Sequence, residues 1–358
     1  MKHRPLRTVL SALLIAIPVT LVLTLAGLSK GMIEDYTKRT RGFGADIMIR
    51  PKSSTYTSLG NSPMPESMVA FVEKRAHVTV ATGIVAQSLG TPTSSAAGID
   101  LSAFNRMSGG LEYVSGGPFQ GPNEMIVDEY FATEKKLHVG DSAALWDPNH
   151  KWRVTGIVKP GKLNRVFVDL KELQELVGAT GHVSIIYAKV DDPKNINSVI
   201  ADLKSQLVDY PIFSIEEFTS LISYDTIPLL SRFTNVVVGI AVFIGFAVVC
   251  LSMYMAVLQR TREIGILKAL GASRWYVINT ILREAVLLSM VGTIFGIGMS
   301  YAVKWALETF APATLPPAVD PTWWPLAALI ALVGAVLGAL YPGLRAASMD
   351  PIEALSYE

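Results

Sequence analysis

Hydrophobic and polar positions divide this chain into two regimes. Four long apolar runs stand at 8–29, 233–258, 284–303 and 322–344. Each is about the twenty residues a helix needs to cross a hydrocarbon layer, and each predicts a transmembrane helix. The first run follows Lys2, His3, Arg4 and Arg7. A secretory signal peptide shares that layout, but this run is longer than a signal core. Its Leu25-Ala26-Gly27-Leu28 end also lacks a lipoprotein cysteine. It reads as a signal anchor with its basic end inside.

The second regime is 30–232, where short periods replace long apolar runs. Ile47 and Ile49 against Asp46, Met48 and Arg50 predict a half-buried strand over 45–50. Trp152, Val154 and Val158 alternate with Arg153, Thr155 and Ile157 in a second strand, and 165–169 and 184–190 read as two more. Met68, Phe71 and Val72 make one helical stripe. Ile196, Val199, Ile200, Leu203 and Leu207 make another, opened by Pro193. Strands and helices mix without regular βαβ repetition, which predicts an α+β fold in two lobes. Polar residues 31–41 are expected to extend the first run as a stalk helix. Residues 214–232, with Glu216, Glu217, Asp225 and Arg232, are expected to lead into the second run similarly, with Pro228 bending or starting it. The segment 44–218 is expected to fold alone, since a chain of that length buries an ordinary core.

Charge sets the orientation. The loop 259–283 carries Arg260, Arg262, Lys268, Arg274 and Arg283, whereas 305–321 carries Glu308 and Asp320 and no Lys or Arg. Short basic loops stay in the cytoplasm, so the first is expected inside and the second outside. Trp305, Trp323 and Trp324 then fall at the outer interface. The expected organisation has three parts. Residues 1–29 are a cytoplasmic N-terminus and helix 1, and 30–232 are stalks and an extracytoplasmic domain. Residues 233–358 hold helices 2–4, with a cytoplasmic segment 259–283, an outer loop 305–321 and a cytoplasmic tail. The fold class is an integral membrane protein with four transmembrane α-helices and a large extracytoplasmic α+β domain inserted between helices 1 and 2.

Within the cytoplasmic loop, Ile266, Ala269 and Leu270 recur at helical spacing, with Ile264 and Leu267 beside them. Gly271 stands where a left-handed cap is expected and Ser273 is a good N-cap for the next helix. A short basic-rimmed apolar helix of this kind docks a cytoplasmic partner or lies on the headgroups; spacing alone leaves both open. The stretch Arg262-Glu263-Ile264-Gly265-Ile266-Leu267-Lys268-Ala269-Leu270-Gly271-Ala272-Ser273 resembles the coupling segment of MacB/FtsX-type ABC-transporter permeases. Tyr341-Pro342-Gly343-Leu344-Arg345-Ala346-Ala347-Ser348-Met349-Asp350-Pro351-Ile352-Glu353-Ala354-Leu355 is similar to that family's C-terminal signature, with Gly343 where another small residue is common. Gly98-Ile99-Asp100, Glu124-Met125-Ile126-Val127-Asp128, Val139-Gly140-Asp141 and Val154-Thr155-Gly156-Ile157-Val158 resemble the MacB-type periplasmic core domain, more loosely.

Composition narrows the chemistry. The 358 residues are 50% hydrophobic and 17% charged, as expected of a mixed membrane and soluble chain. A net charge of +1 gives no basic footprint for nucleic acid. Cys250 is the single cysteine, so no intrachain disulfide forms. His3, His77, His138, His150 and His182 show no metal-ligand spacing, and His138 reads as a turn residue. No Gly-x-x-x-x-Gly-Lys-Ser/Thr, Gly-x-Ser-x-Gly or His-Glu-x-x-His occurs, so the chain is expected to be non-catalytic. Gly292-x-x-x-Gly296 and Gly334-x-x-x-Gly338 are small-residue faces for helix packing. Glu284 either pairs inside the bundle or lies in the interface, and Cys250, Met253 and Met255 read as lipid-facing or core.

What the resemblance implies goes further. It assigns coupling to Arg262 through Gly271. It implies two copies of a separate ABC ATPase carrying ATP and Mg, with no cofactor on this chain. It also implies a second permease chain, as a homodimer or a similar chain, in a bacterial cell (inner) membrane, and a periplasmic adaptor stands among the candidate partners. ATP binding would move the coupling helices and shift the external domains, a mechanism called mechanotransmission, to extrude a hydrophobic or amphipathic molecule. Two alternatives belong to other classes. One is an FtsX-like regulator activating an external cell-wall hydrolase without transport, and the other is a ligand-sensing module.

Overall fold

The computed structural model describes residues 5–52, 54, 63–91, 94–222, 228–259, 261–310 and 317–348. They form two compact units, one of residues up to 30 with 229–310 and 317 onward, the other of residues 31–228. Lys2, His3, Arg4, Asp225, Arg260 and the predicted tail beyond Ser348 lie outside the described residues.

Helix α1 runs unbroken from Pro5 to Gly42, 38 residues. At about 1.5 Å per residue this is roughly twice the thickness of a hydrocarbon core, so the helix continues past any span as a stalk. There follow β1 (Ile47–Ile49), β2 (Met64–Pro65), α2 (Ser67–Glu73), β3 (Val78–Thr91) and β4 (Ser94–Ile99). Next come α3 (Leu101–Ser108), β5 (Tyr113–Gly116), β6 (Glu124–Asp128), α4 (Glu129–Lys135) and β7 (Ser142–Ala144). After β8 (Lys151–Val158), β9 (Val166–Asp169) and α5 (Leu170–Leu176) stand β10 (His182–Val183), β11 (Ile185–Val190), α6 (Ile196–Gln206), β12 (Ile212–Ser214) and α7 (Ile215–Leu221).

One sheet of mixed parallel and antiparallel pairs organises this unit, in the order β12-β1-β11-β3-β4-β9-β6-β8-β5, with β7 on β8 and a separate β2–β10 pair. The two predicted lobes are halves of that sheet, and β3 belongs to both. Val78–Ile84 of β3 pairs with β11, whereas Val85–Thr91 pairs with β4. A repeated local device builds the β4, β6 and β9 half. Each of these strands runs into a helix whose N-cap is an aspartate. Asp100 accepts from the Ser102 and Ala103 amides, Asp128 from Phe131, and Asp169 from Lys171 and Glu172. The carboxylate satisfies orphan amides and complements the positive helix end.

Three expectations about residues 30–232 need correction. The strand β1 is not half-buried: Ile47, Met48 and Ile49 are all fully buried. It lies between β11 and β12 with a core on either face, Met48 packing with Phe43 and Phe104 and the two isoleucines with Val72, Val199 and Leu203. Pro193 opens a 3-10 turn, Pro193–Asn195, capped by Asp192, and α6 starts only afterwards. The stretch 214–232 is not one stalk helix, because α7 ends at Leu221 and Ile222 is extended. Helix α8 then starts at Pro228 and runs to Gln259.

The remaining helices are α9 (Thr261–Ala269), α10 (Arg274–Phe310) and α11 (Trp324–Ser348). Among the described residues, four helices are long and apolar enough to cross a membrane: α1, α8, α10 and α11, the last with its leading turn from Pro321. Helix α10 begins ten residues before the predicted span and ends beyond it, so Trp305 lies in the helix and not in an outer loop. Residues from Tyr301 to Phe310 include no Gly or Pro, and good helix formers such as Ala302, Lys304, Ala306 and Leu307 carry it on.

Candidate functional site

Helix α9 has two unlike faces. Thr261 and Gly265 are buried, Ile264 and Lys268 half-buried, and these fall at i, i+3, i+4 and i+7. The Thr261 hydroxyl donates to the carbonyls of Val257 and Leu258, tying the helix to the end of α8. Ile264 packs against the buried cluster that includes Val257, Val277 and Ala346. It therefore does not widen the outer stripe as the sequence predicted, because it shares the inner face of α9 with the buried Thr261 and Gly265. Arg262, Glu263, Ile266, Leu267, Ala269 and Leu270 face outward. Ile266 and Leu267 are each over two-fifths exposed and Leu270 is 81% exposed.

The end of the helix is a tight glycine cap. Gly271 has φ +94, its amide donates to the Lys268 carbonyl, and the Ala272 amide reaches back to the Leu267 carbonyl at 3.0 Å. A side chain at Gly271 would be strained in this left-handed conformation. Ser273 then caps α10, its hydroxyl accepting from the Tyr276 amide at 3.2 Å. The short α9–α10 turn leaves Trp275 and Tyr276 exposed at 78% and 57%. Sequence reasoning missed this aromatic pair, although two large rings directly after an N-cap were a visible signal.

The two signatures meet in space. The Lys268 ammonium donates to the Ala347 carbonyl at 2.9 Å, so a residue of the loop motif caps the end of α11. A cation there complements the negative helix end. Arg345 lies over the Tyr254 ring at 5.6 Å and donates to its hydroxyl at 3.3 Å, bracing α11 against α8. Residues 349–355 of the second signature lie outside the described residues.

The glycine faces serve two different contacts. A Cβ on Gly292 would come within 2.7 Å of Ile15, and one on Gly296 within 2.7 Å of Val19, so α1 lies directly on α10 there. The Thr20 hydroxyl, on α1, also donates to the Gly296 carbonyl at 3.1 Å. Gly338 packs on α8, where a Cβ would meet the Phe246 carbonyl at 2.9 Å and the Cys250 amide at 3.1 Å. Gly334 sits at an ordinary 3.9 Å from Phe246 and has room for a methyl. Glu284 is half-buried on α10, and His138 occupies a turn, its amide donating to Asp141. Among the described residues, no group of three or more His, Cys, Asp or Glu is placed to hold a metal.

Comparison with known proteins assigns the class. Residues 8–206 match the family described as MacB-like periplasmic core domain, and 235–351 match the FtsX-like permease C-terminal family. The first match covers more than half of the chain, which belongs to this family. The chain is 30% identical over 215 residues to the uncharacterized ABC transporter permease YknZ of Bacillus subtilis, spanning 58% of this chain and 52% of that one. It is 25% identical over 353 residues to the putative hemin transport system permease protein HrtB of Staphylococcus haemolyticus, spanning 98% and 95%. Against the macrolide export protein MacB of Escherichia coli K12 it is 37% identical over 133 residues, spanning 36% and 20%. A solved periplasmic region of MacB from Actinobacillus actinomycetemcomitans covers 49% of this chain at 17% identity and a TM-score of 0.37.

Proposed function

We propose that this chain is the membrane subunit of a MacB/FtsX-type ABC system whose ATPase is a separate polypeptide. Two copies of that ATPase, carrying ATP and Mg, would dock on the outward face of α9, with Arg262 to Gly271 as the coupling segment. A second copy of this chain would complete the transmembrane part. In support, only 12% of the most apolar stretch of α8 is buried by this chain, against 56% for α1. The basic loop 259–283 supports cytoplasmic termini in a bacterial inner membrane, with the sheet unit outside. The work would be extrusion or extracytoplasmic work by mechanotransmission. A hydrophobic or amphipathic cargo agrees with the name of the hemin permease that aligns along nearly the whole chain.

The observation that carries this reading is the apolar face of α9, left open while Lys268 and Thr261 hold its other face.

Leu267→Asp and Leu270→Asp test it. Both side chains are exposed, so the variants should insert and fold normally. If the face is buried against the ATPase, an unpaired carboxylate there costs several kcal/mol. ATP turnover of the purified complex, and retention of a subunit with a Walker A peptide in mass spectrometry, should fall at least tenfold. Arg274→Ala, at the rim, should change both less than threefold. Wild-type turnover and retention in both Asp variants would sink the docking assignment.

A further inference from the structure

The outer turns of α1 meet the sheet unit through buried charge, where an apolar contact would be expected. Asp35 and Arg39 lie one turn apart on α1, with the Arg39 Nε 3.0 Å from the Asp35 Oδ2. Arg165, just before β9, is 3% exposed and points between two carboxylates. Its Nη2 donates to the Asp35 Oδ2 at 3.3 Å, and its Nη1 is 3.5 Å from the Oδ2 of Asp128, itself 1% exposed. The Tyr130 ring on α4 lies 5.2 Å from the Arg165 guanidinium. Two guanidiniums and two carboxyl groups, drawn from α1, the end of β6 and the start of β9, meet there, with Asp35 the most exposed of the four.

Backbone contacts frame the cluster. The Leu163 amide donates to the Arg39 carbonyl at 2.9 Å, and the Asp128 amide donates to the Arg165 carbonyl at 2.8 Å. Arg41 adds a bond from its guanidinium to the Thr219 hydroxyl on α7 at 3.3 Å. The cluster is nonetheless under-bonded. The Arg165 Nε and Nη1 and the Asp128 Oδ2 have no hydrogen-bond partner among the described residues. A buried polar cluster with unmet hydrogen bonds gains little over its hydration, so a contact of this kind is suited to local opening while an apolar core stays closed.

We propose that Asp35, Arg39, Asp128 and Arg165 form a buried polar latch that clamps the outer turns of α1 to the sheet unit and lets them undock by local opening, without unfolding the sheet. Because α1 is one unbroken helix, the latch makes its outer turns part of the domain when closed. Helix α7, by contrast, ends at Leu221, with Ile222 extended. The reading does not depend on which ATPase or cargo the chain serves.

Proton linkage follows from the same geometry. Burial pushes the Asp128 carboxyl up to about 6, against the Phe131 amide and the Arg165 and Arg39 guanidiniums that lower it, with Asp35 raising it further. Undocking hydrates Asp128 and returns it to the ordinary carboxylate range, so opening releases a proton and is favoured as pH rises.

Hydrogen exchange on the full chain in lipid nanodiscs tests the latch. Exchange at the Leu163 amide and across 31–43, corrected for intrinsic rate, should rise about tenfold from pH 5 to pH 7.5 as the open fraction grows. Asp35→Asn, placed on the partly exposed stalk side, should raise it at least tenfold at pH 5 while β6 and β8 amides stay protected, and Asp35→Glu should restore protection. Arg165→Met should act likewise. If that variant loses the sheet, Asp35→Asn alone decides. Wild-type protection of 31–43 in Asp35→Asn, or loss of protection there together with the sheet, would overturn the proposal, as would an exchange rate that ignores pH.

Discussion

Asp128 shows how one residue carries two duties that conflict. One carboxylate oxygen caps α4, bonding the Phe131 amide at 2.7 Å, while the other faces Arg165 without a hydrogen bond. Desolvation dominates, and the carboxyl is pushed up to about 6. The sign of the linkage is then unusual for an aspartate. The folded state holds the proton more tightly than the unfolded state, so this group's contribution to stability is largest in acid and declines as pH rises from about 4 through 6. Between pH 5 and pH 7 the loss amounts to about 1 kcal/mol. Asp128→Asn should therefore flatten the pH profile of melting for the sheet unit by about that amount relative to the parent. A profile unchanged by the substitution would show that Asp128 titrates as an ordinary carboxylate.

At the level of elements, small residues decide which helices touch. Gly296 stands where α1 comes within a Cβ radius of α10, and the Thr20 bond to its carbonyl depends on that approach. Gly296→Val is expected to destabilise the bundle by about 1–3 kcal/mol, since overpacking forces side chains off their rotamers or separates the helices. Gly298→Ala, two residues on and facing open space, should be neutral or slightly stabilising. Melting of the full chain in detergent, followed by tryptophan fluorescence, distinguishes the two variants. Equal shifts would mean that the glycine face is not a packing surface. The same scale explains the mistaken period of β1. Alternation reports one wet face and one dry face, and β1 has none wet because α6 covers one side and the Phe43–Phe104 core the other.

At the level of the whole molecule, the core of the sheet unit reaches one residue beyond the fragment the sequence suggested. A fragment of 44–218 omits Phe43, which is fully buried and stacks on Phe104 and Tyr187 at ring distances of 4.9 Å. Removing a core phenylalanine costs about 3–5 kcal/mol, which for a unit of this size is roughly 10 °C in melting temperature. A fragment of 31–222, which keeps Phe43 and the charged turns of α1, should melt cooperatively and about 10 °C above 44–218. Matching melting temperatures would show that the outer turns of α1 add nothing to the domain.

Four apolar runs, the basic loop and the alternation of β8 were legible in the chain because each is local. Length against bilayer thickness, charge asymmetry and period two need no knowledge of what packs where. The α9 cap was legible for the same reason, since Gly271 and Ser273 act within a few residues of themselves. Tertiary structure alone decided what depends on distant partners. It turned Ile264 inward, joined Lys268 to Ala347, shared β3 between the two halves of the sheet, and drew Asp35, Arg39, Asp128 and Arg165 together from positions up to 130 residues apart. A charged side chain has no periodic signature that tells whether it meets water or an opposite charge, and only the fold supplies the partner.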